Sequence, residues 1–308
     1  MLTDVIVVNW NAGIQLHECV ESVLRYDRHL IKQIVVVDNG STDDSERAVE
    51  TRPDVTLIRT GVNLGFGKAC NQAAKHTNGQ FLLFLNPDAQ LFPGSLANAI
   101  EFMQRPENSK VGICGIQLVD ENGNIAHSCA RFPTASGFVA HATGLDRVVP
   151  TLGHFMSEWD HASTRPVDHV IGAFFLVRRH VFEALHGFDE TFFLYLEDLD
   201  FSYRANQLGW SSVYLVDAQA FHAGGGTSRQ VKAKRLFYSL RSRILYAFKH
   251  FNPLAATITL LVTLLVEPVS RSALALARGS WASMEETMSA YRMLYRWLPE
   301  WVFQGATR

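Results

Sequence analysis

An aspartate that closes a buried apolar run, two positions after an asparagine, is a candidate seat for a hard cation. The run Phe81 to Leu85 ends in Asn86, Pro87 and Asp88. Oxygen side chains on such a turn suit a divalent ion that also takes diphosphate oxygens and water. Asn86 stands where a second carboxylate is more usual, so Asp88 must supply most of the charge. The same residues could equally form a plain turn held by Asx-type hydrogen bonds. His222, one of 12 histidines, precedes Gly224, Gly225 and Gly226, and small residues there allow backbone to approach a ligand closely. Its imidazole suits manganese better than magnesium, although most histidines near loops are only solvated or hydrogen-bonded. A different chemistry is offered by Glu197 and Asp198. Adjacent carboxylates at a helix start cannot both ionise comfortably in a dry cleft, so one could accept a proton from an alcohol. The aromatics Phe192, Phe193, Tyr195 and Phe201 around them would exclude water, while the plainer alternative is that the acids favour the helix dipole.

The elements that must position these residues alternate in type. Strands are expected at Val5 to Asn9, Ile34 to Val37, Val55 to Arg59 and Phe81 to Leu85, with helices between them, an alternation that argues for a parallel sheet. The second strand ends abruptly in Asp38, Asn39, Gly40, Ser41 and Asp43, with Ser41 or Thr42 placed to cap the next helix. Polar residues at the carboxyl ends of buried strands mark the rim where open α/β sheets bind ligands. Asn63, Gly65, Gly67 and Lys68 form a Gly-rich loop at a helix start that can hold a phosphate or base. That loop is not a P-loop, because Ala69 follows Lys68, and its dinucleotide fingerprint breaks at Cys70. Further strands are expected at Val111 to Val119, Ile171 to Val177 and Val213 to Val216, and a short helix from Arg178 stops at Gly187. The stretch from His127 to Asp168 reads as loops, and Asp200 and Arg204 are spaced to pair along a helix.

At 308 residues and 47% hydrophobic content the chain can bury one large core or two modest ones. A formal net charge of −2 gives no reason to expect nucleic acid. Four cysteines without metal spacing point to free thiols in a reducing compartment. The start of the chain has no basic, signal-like region, so the catalytic part is expected in the cytosol.

In order, VVNWN, VVDNGSTD, NLGFGKACNQA, FLNPDA, IGAFFLVRR, GFDETFFLYLEDLDFSYR and the late His222 resemble glycosyltransferase family 2, in its bacterial rhamnosyltransferase-like branch. The resemblance spans roughly Val5 to Thr227. It implies an α/β GT-A fold with a mixed sheet, a Rossmann-like nucleotide-sugar half over residues 1–102 and an acceptor half over 103–228. It also implies an inverting, metal-assisted transfer from a nucleotide-diphospho-sugar, dTDP-L-rhamnose above all, with a UDP- or GDP-sugar as the alternative. Carried onto this sequence, Asn9 and Asn11 line the nucleoside pocket and Asp38, followed by Asn39 and Gly40, bonds base or ribose. Asn63, Gly65, Lys68 and Asn71 flank the donor, and Gly172 and Ala173 border donor and acceptor. Asn86 and Asp88 occupy the D-x-D position for Mg2+ or Mn2+, His222 completes the metal site, and Asp198 is the base with Glu197 beside it.

Residues 229–308 are expected to form a helical, membrane-associated extension. Lys232, Lys234, Arg235, Arg241 and Arg243 surround the apolar stripe Phe237, Leu240, Ile244, Phe248 and Phe251 without an acid, a pattern of membrane-surface helices. A helical cap packed on the catalytic domain is the alternative. Leu254 to Val266 is too short to span a bilayer, and Glu267-Pro268 interrupts it. Together these features suggest a glycan or polyprenyl-linked acceptor met on the inner face of a bacterial cytoplasmic membrane. The competing readings are a nucleotidyltransferase and a catalytically silent nucleotide-sugar-binding protein, with an NAD enzyme more distant.

Overall fold

Residues 2–224 and 231–307 are described by the structure, a computed structural model. Gly225 and Gly226 of the triple glycine, Arg229 at the expected start of the basic helix and the expected boundary at residue 228 lie outside the described residues.

Uninterrupted β-branched and aromatic runs can be satisfied only inside a sheet covered on both faces, and the first strands obey this. β1 (Thr3–Asn9), β2 (Ile31–Asp38), β3 (Val55–Arg59) and β4 (Phe81–Leu85) are parallel in the order β3-β2-β1-β4, with β1 and β4 buried along their whole length. Between them lie α1 (Ile14–Tyr26), the short α2 (Arg47–Glu50) and α3 (Phe66–Ala74). The helix after β2 therefore starts later than Ser41 or Thr42 would cap it. The Ser41 hydroxyl instead meets the Asn9 amide and the Asn11 N–H, and Asp44 adopts a positive φ.

Beyond β4 the sheet becomes mixed. The remaining elements begin with β5 (Ala89–Leu91), α4 (Ser95–Gln104), β6 (Val111–Val119), β7 (Cys129–Ala130), α5 (Ala135–Thr143), β8 (Arg165–Val167) and β9 (His169–Val170). They continue with β10 (Phe174–Arg178), α6 (Arg179–Ala184), α7 (Glu197–Gln207) and β11 (Ser211–His222). Among the described residues the main sheet has nine strands, running β3-β2-β1-β4-β10-β6-β11-β5 with β8 on β11. β10 lies antiparallel to β4, so its amino end, just after Gly172 and Ala173, reaches the rim where β1, β2 and β4 finish. β11 runs parallel to β6, and its last residue, His222, pairs with Ala89 of β5. One edge of the sheet thus collects the ends of β1, β2, β4 and β11 and the start of β10.

Two compact units divide the chain: Met1–Arg131, Trp159–Glu190 and Glu197–Thr227 form one; Phe132–Glu158, Thr191–Leu196 and Ser228–Arg308 form the other. The first contains the sheet. The second is helical, with α5, α8 (Lys232–His250), α9 (Pro253–Leu261), α10 (Glu267–Ala277) and α11 (Trp281–Gln304). Within the stretch expected to be loops, α5 forms because Thr134 caps it, its hydroxyl accepting from Gly137 N at 3.0 Å, and Gly144 ends it in the left-handed region.

The basic helix is a core element of the second unit. Arg241 and Arg243 on α8 are both buried. Arg241 lies over the rings of Phe193, Phe237 and Tyr238 at 5.0–5.5 Å, and Arg243 pairs with buried Glu267, which Arg271 also meets at 2.7 Å. Burial raises the Glu267 carboxyl, but the two guanidiniums overcome that and hold it below the usual range. Glu267 and Pro268 do not break the next helix: Pro253–Ala277 is continuous through a π-helical turn at Val262–Val266. Proline has no N–H for the carbonyl four residues back, Leu264, or five back, Thr263. Those two oxygens accept instead from the hydroxyls of Tyr295 at 2.7 Å and Tyr291 at 3.1 Å.

Candidate active site

β4 is the most apolar strand in the sheet, and Pro87 ends it by forcing a turn at the rim. Asp88, 8% exposed, lies on that turn. The His222 ring nitrogen Nε2 approaches Asp88 Oδ1 at 3.3 Å and the Asn86 amide nitrogen at 3.5 Å. Ala223 N donates to the Asp88 carbonyl at 3.1 Å, which fixes the end of β11 against the turn. Two residues 134 positions apart in the sequence therefore face each other because β11 pairs with β5. One buried carboxylate and one imidazole, with the Asn86 amide beside them, form a donor pair that fits a divalent cation such as Mn2+. Among the described residues no group of three or more histidines, cysteines and acids could hold a metal.

Glu197 and Asp198 open α7 and part company at once. Glu197 points inward, 4% exposed, and its Oε2 has no hydrogen-bond partner among the described residues. Burial, then the neighbouring Asp198 charge, pushes its carboxyl well above the usual range. Glu197 is therefore the acid that keeps its proton. Asp198 stays partly accessible, with its side chain 18% exposed. Its Oδ2 accepts from Gly172 N at 2.8 Å and its Oδ1 from Leu199 N at 2.8 Å. A Cβ on Gly172 would sit 3.1 Å from that Oδ2, so glycine lets the backbone reach the carboxylate. Ala173, next in the chain, accepts from Asn86 N at 3.0 Å. Two hydrogen bonds thus tie the asparagine turn to the base candidate through Ala173 and Gly172.

The start of α7 is anchored from below by aromatics. Phe188 stands 4.9 Å from Phe84 and 5.2 Å from Phe201, ring centre to ring centre. Phe201, expected to shield the acids, is wholly buried in this cluster, whereas Phe192, Phe193 and Tyr195 belong to the other compact unit. Gly187 carries a φ of 77°, and a side chain there would collide with the Asn71 amide. That amide grips Phe188, donating to its carbonyl at 2.8 Å and accepting from its N–H at 2.9 Å. Further along α7, Arg204 Nε donates to Asp200 Oδ2 at 2.7 Å, the pairing their spacing implies.

The donor-side residues form a second network at the ends of β1, β2 and β3. Asn9 at the end of β1 donates through its amide to Asp38 Oδ1 at 3.0 Å and to Ser45 Oγ at 2.9 Å. Asn11 accepts from Thr42 N at 2.7 Å. Asn39 accepts from Leu64 N at 2.8 Å and donates to Asn63 Oδ1 at 3.1 Å, and that oxygen also accepts from Gly65 N at 2.9 Å. Gly40, with φ 76°, leaves no room for a Cβ against the backbone of Val62 and Asn63. Lys68 forms a half-exposed pair with Glu190 at 3.7 Å. Asn9, Asn11, Asn39 and Asn63 thus join the loops that shape the rim. One residue escaped sequence reasoning altogether: buried His169, whose Nε2 lies 3.6 Å from Asp198 Oδ2. A histidine in a two-residue strand carries no local signal of this.

The sequence model of "Glycosyl transferase family 2" matches residues 4–186. An N-acetylglucosaminyl-diphospho-decaprenol L-rhamnosyltransferase of Mycobacterium tuberculosis is 31% identical over 247 residues, covering 72% of this chain and 76% of that protein. Rhamnosyltransferase WbbL of Escherichia coli is 25% identical over 253 residues, covering 79% and 91%. Among solved structures, mannosyltransferase PcManGT from Pyrobaculum calidifontis, in complex with GDP-Man and Mn2+, superposes with a TM-score of 0.55 at 20% identity, over 99% of this chain and 85% of that one. S. aureus TarS 1–349 in complex with UDP-GlcNAc gives 0.54 at 19% identity, over 98% and 83%. The two solved structures share the fold of this chain. The chain belongs to glycosyl transferase family 2, in its rhamnosyltransferase-like branch, and is a hexosyltransferase with a GT-A fold.

Proposed function

We propose that the chain transfers L-rhamnose, with inversion, from dTDP-L-rhamnose to a glycan or polyprenyl-diphosphate-linked acceptor in cell-surface polysaccharide synthesis. The observation that carries this reading is the short bridge Asn86–Ala173, Gly172–Asp198, which brings an anion-and-imidazole pair and an accessible carboxylate to one rim. Asp198 takes the proton from the acceptor hydroxyl as its oxygen attacks the anomeric carbon, and the bond from that carbon to the diphosphate breaks on the opposite side. Gly172 and Leu199 hold the carboxylate in place, while neutral Glu197 adds no second negative charge beside it. Asp88, His222 and Asn86 are the residues that would hold a divalent cation, whose charge when bound offsets the negative charge gathering on the departing nucleoside diphosphate. The loops joined by Asn9, Asp38, Asn39 and Asn63 would receive the nucleoside. The relatives named for rhamnose and for a decaprenol-linked substrate support the choice of donor and acceptor.

Membrane association belongs to the same proposal, but on a different helix from the basic one. Leu254, Leu261, Leu265, Val269 and Leu276 lie along one exposed side of Pro253–Ala277. The opposite side carries buried Glu267 with its arginines. A helix apolar outward and ion-paired inward suits the plane of a lipid surface at the cytoplasmic face. Two experiments test the proposal. Thermal-shift screening against dTDP-rhamnose, UDP-sugars and GDP-sugars, each with and without Mn2+, should give the largest rise with dTDP-rhamnose and Mn2+. A larger rise with another nucleotide would overturn the donor. Sedimentation with phospholipid vesicles should be lost in a Leu265→Asp, Val269→Asp variant; equal binding by variant and wild type would overturn the lipid-facing helix.

A further inference from the structure

His169 sits on β9, 3% exposed, in a place that strand pairing and α7 dictate together. Its Nδ1 is 3.1 Å from Ser202 Oγ, and its Nε2 faces Asp198 Oδ2 at 3.6 Å. Ser202 Oγ is also 2.9 Å from the carbonyl of Asp198, one helical turn earlier. A carbonyl can only accept, so the serine hydroxyl must donate to it. For the contact with His169 to be a hydrogen bond as well, the ring must donate from Nδ1. Neutral His169 then presents a bare lone pair at Nε2 to a carboxylate oxygen, and two acceptors so placed stand beyond hydrogen-bond length, as 3.6 Å is. A proton arriving between them would close that gap.

We propose that His169 is the proton-holding and positioning partner of Asp198 during transfer; this rests on Asp198 being the base. The acceptor O–H bond breaks and its electron pair forms the bond to the anomeric carbon. The bond from that carbon to the phosphate oxygen breaks, and its pair leaves with the nucleoside diphosphate. The proton passes to the Asp198 carboxylate and from Oδ2 to Nε2 of His169, leaving an imidazolium–carboxylate pair. After products depart it returns to water through Asp198, the more accessible of the two. The resting state must be neutral imidazole, and burial, working against the nearby charges of Asp198 and Asp168, holds the ring below its ordinary pKa. Across the strand pair stand Cys129 and Ala130 of β7. The Cys129 thiol, pushed up to about 12 by burial, brings no charge.

The test compares wild type, His169→Gln, Ser202→Ala and Asp198→Asn. In His169→Gln the amide can bond both neighbours but cannot take up a proton. Its kcat should fall about 10- to 100-fold, and the acid limb of its kcat profile should move to lower pH, with the KM for donor little changed. An unchanged acid limb would overturn the proposal even if the rate fell, since a merely structural loss leaves the limb in place. A second readout needs no His169 variant: 15N NMR of histidine-labelled wild type at pH 7.5 should show a ring protonated at Nδ1 that changes tautomer in Ser202→Ala. A ring protonated at Nε2, or a full imidazolium, in wild type would overturn it. Asp198→Asn separates the two claims. If it transfers normally, the base assignment fails; if it is inactive while His169→Gln keeps wild-type rates and pH profile, only the role of His169 fails.

Discussion

Replacing Glu197 by glutamine should change how stability depends on pH, and the size of the change follows from its environment. The Glu197 carboxyl is buried beside Asp198 with one oxygen unpartnered among the described residues, so it stays protonated in the folded chain above its ordinary value of 4.5. In the unfolded chain it ionises near that value. A group raised on folding gives its full stabilisation below the unfolded pKa and loses it as pH climbs towards the folded one. While the folded acid keeps its proton, each pH unit above the unfolded value costs about 1.4 kcal/mol of stability through this residue. Glutamine has the same shape and cannot ionise. Its buried amide carries a penalty of roughly 1–3 kcal/mol, but one constant with pH. Urea unfolding followed by circular dichroism at three pH values, extrapolated to water, should give lines for Glu197→Gln and wild type that converge or cross as pH rises. All other titrating groups are common to both proteins, so only the difference in slope matters. Parallel lines would refute the reasoning, because they would mean that Glu197 ionises within the fold.

Gly172→Ala should lower kcat about 3- to 10-fold, because its Cβ would sit 3.1 Å from Asp198 Oδ2 and displace the carboxylate by a few tenths of an ångström. Transfer at the wild-type rate would show that the carboxylate's position is not critical. Tyr291→Phe should cost about 1–2 kcal/mol in urea unfolding by stripping the Thr263 carbonyl of its donor in a helix that Pro268 has already weakened. No loss would mean that the π-helical turn satisfies that oxygen itself.

The sheet was legible in the sequence because its strands are continuous apolar runs with abrupt polar ends: Val55–Arg59, Phe81–Leu85 and Val111–Val119 lie where the pattern puts them. The meeting of Asn86, Asp88 and His222 follows from the pairing of β11 with β5, which no local pattern encodes. The helix Ala135–Thr143 had its signals in Thr134 and Gly144, but Pro, Gly and Ser around it outweighed them. Helix α8 misled for a physical reason. Its arginines look like a lipid-surface face until Glu267 and Phe193 supply internal partners, and those lie elsewhere in the chain. The adjacent acids were visible as a pair. Which one keeps its proton depends on burial, and Gly172 N–H, which holds the other, comes from the turn before β10, 26 residues earlier. The same holds for His169, brought to Asp198 by β9.

The account stands or falls on Asp198 as the group that takes the acceptor's proton. Single-turnover transfer by Asp198→Asn, with donor binding followed by thermal shift in the same preparation, tests it most directly. Transfer should fall about 100- to 10,000-fold while the donor still raises the melting temperature as it does in wild type. Transfer within a few-fold of wild type, with donor bound, would contradict it.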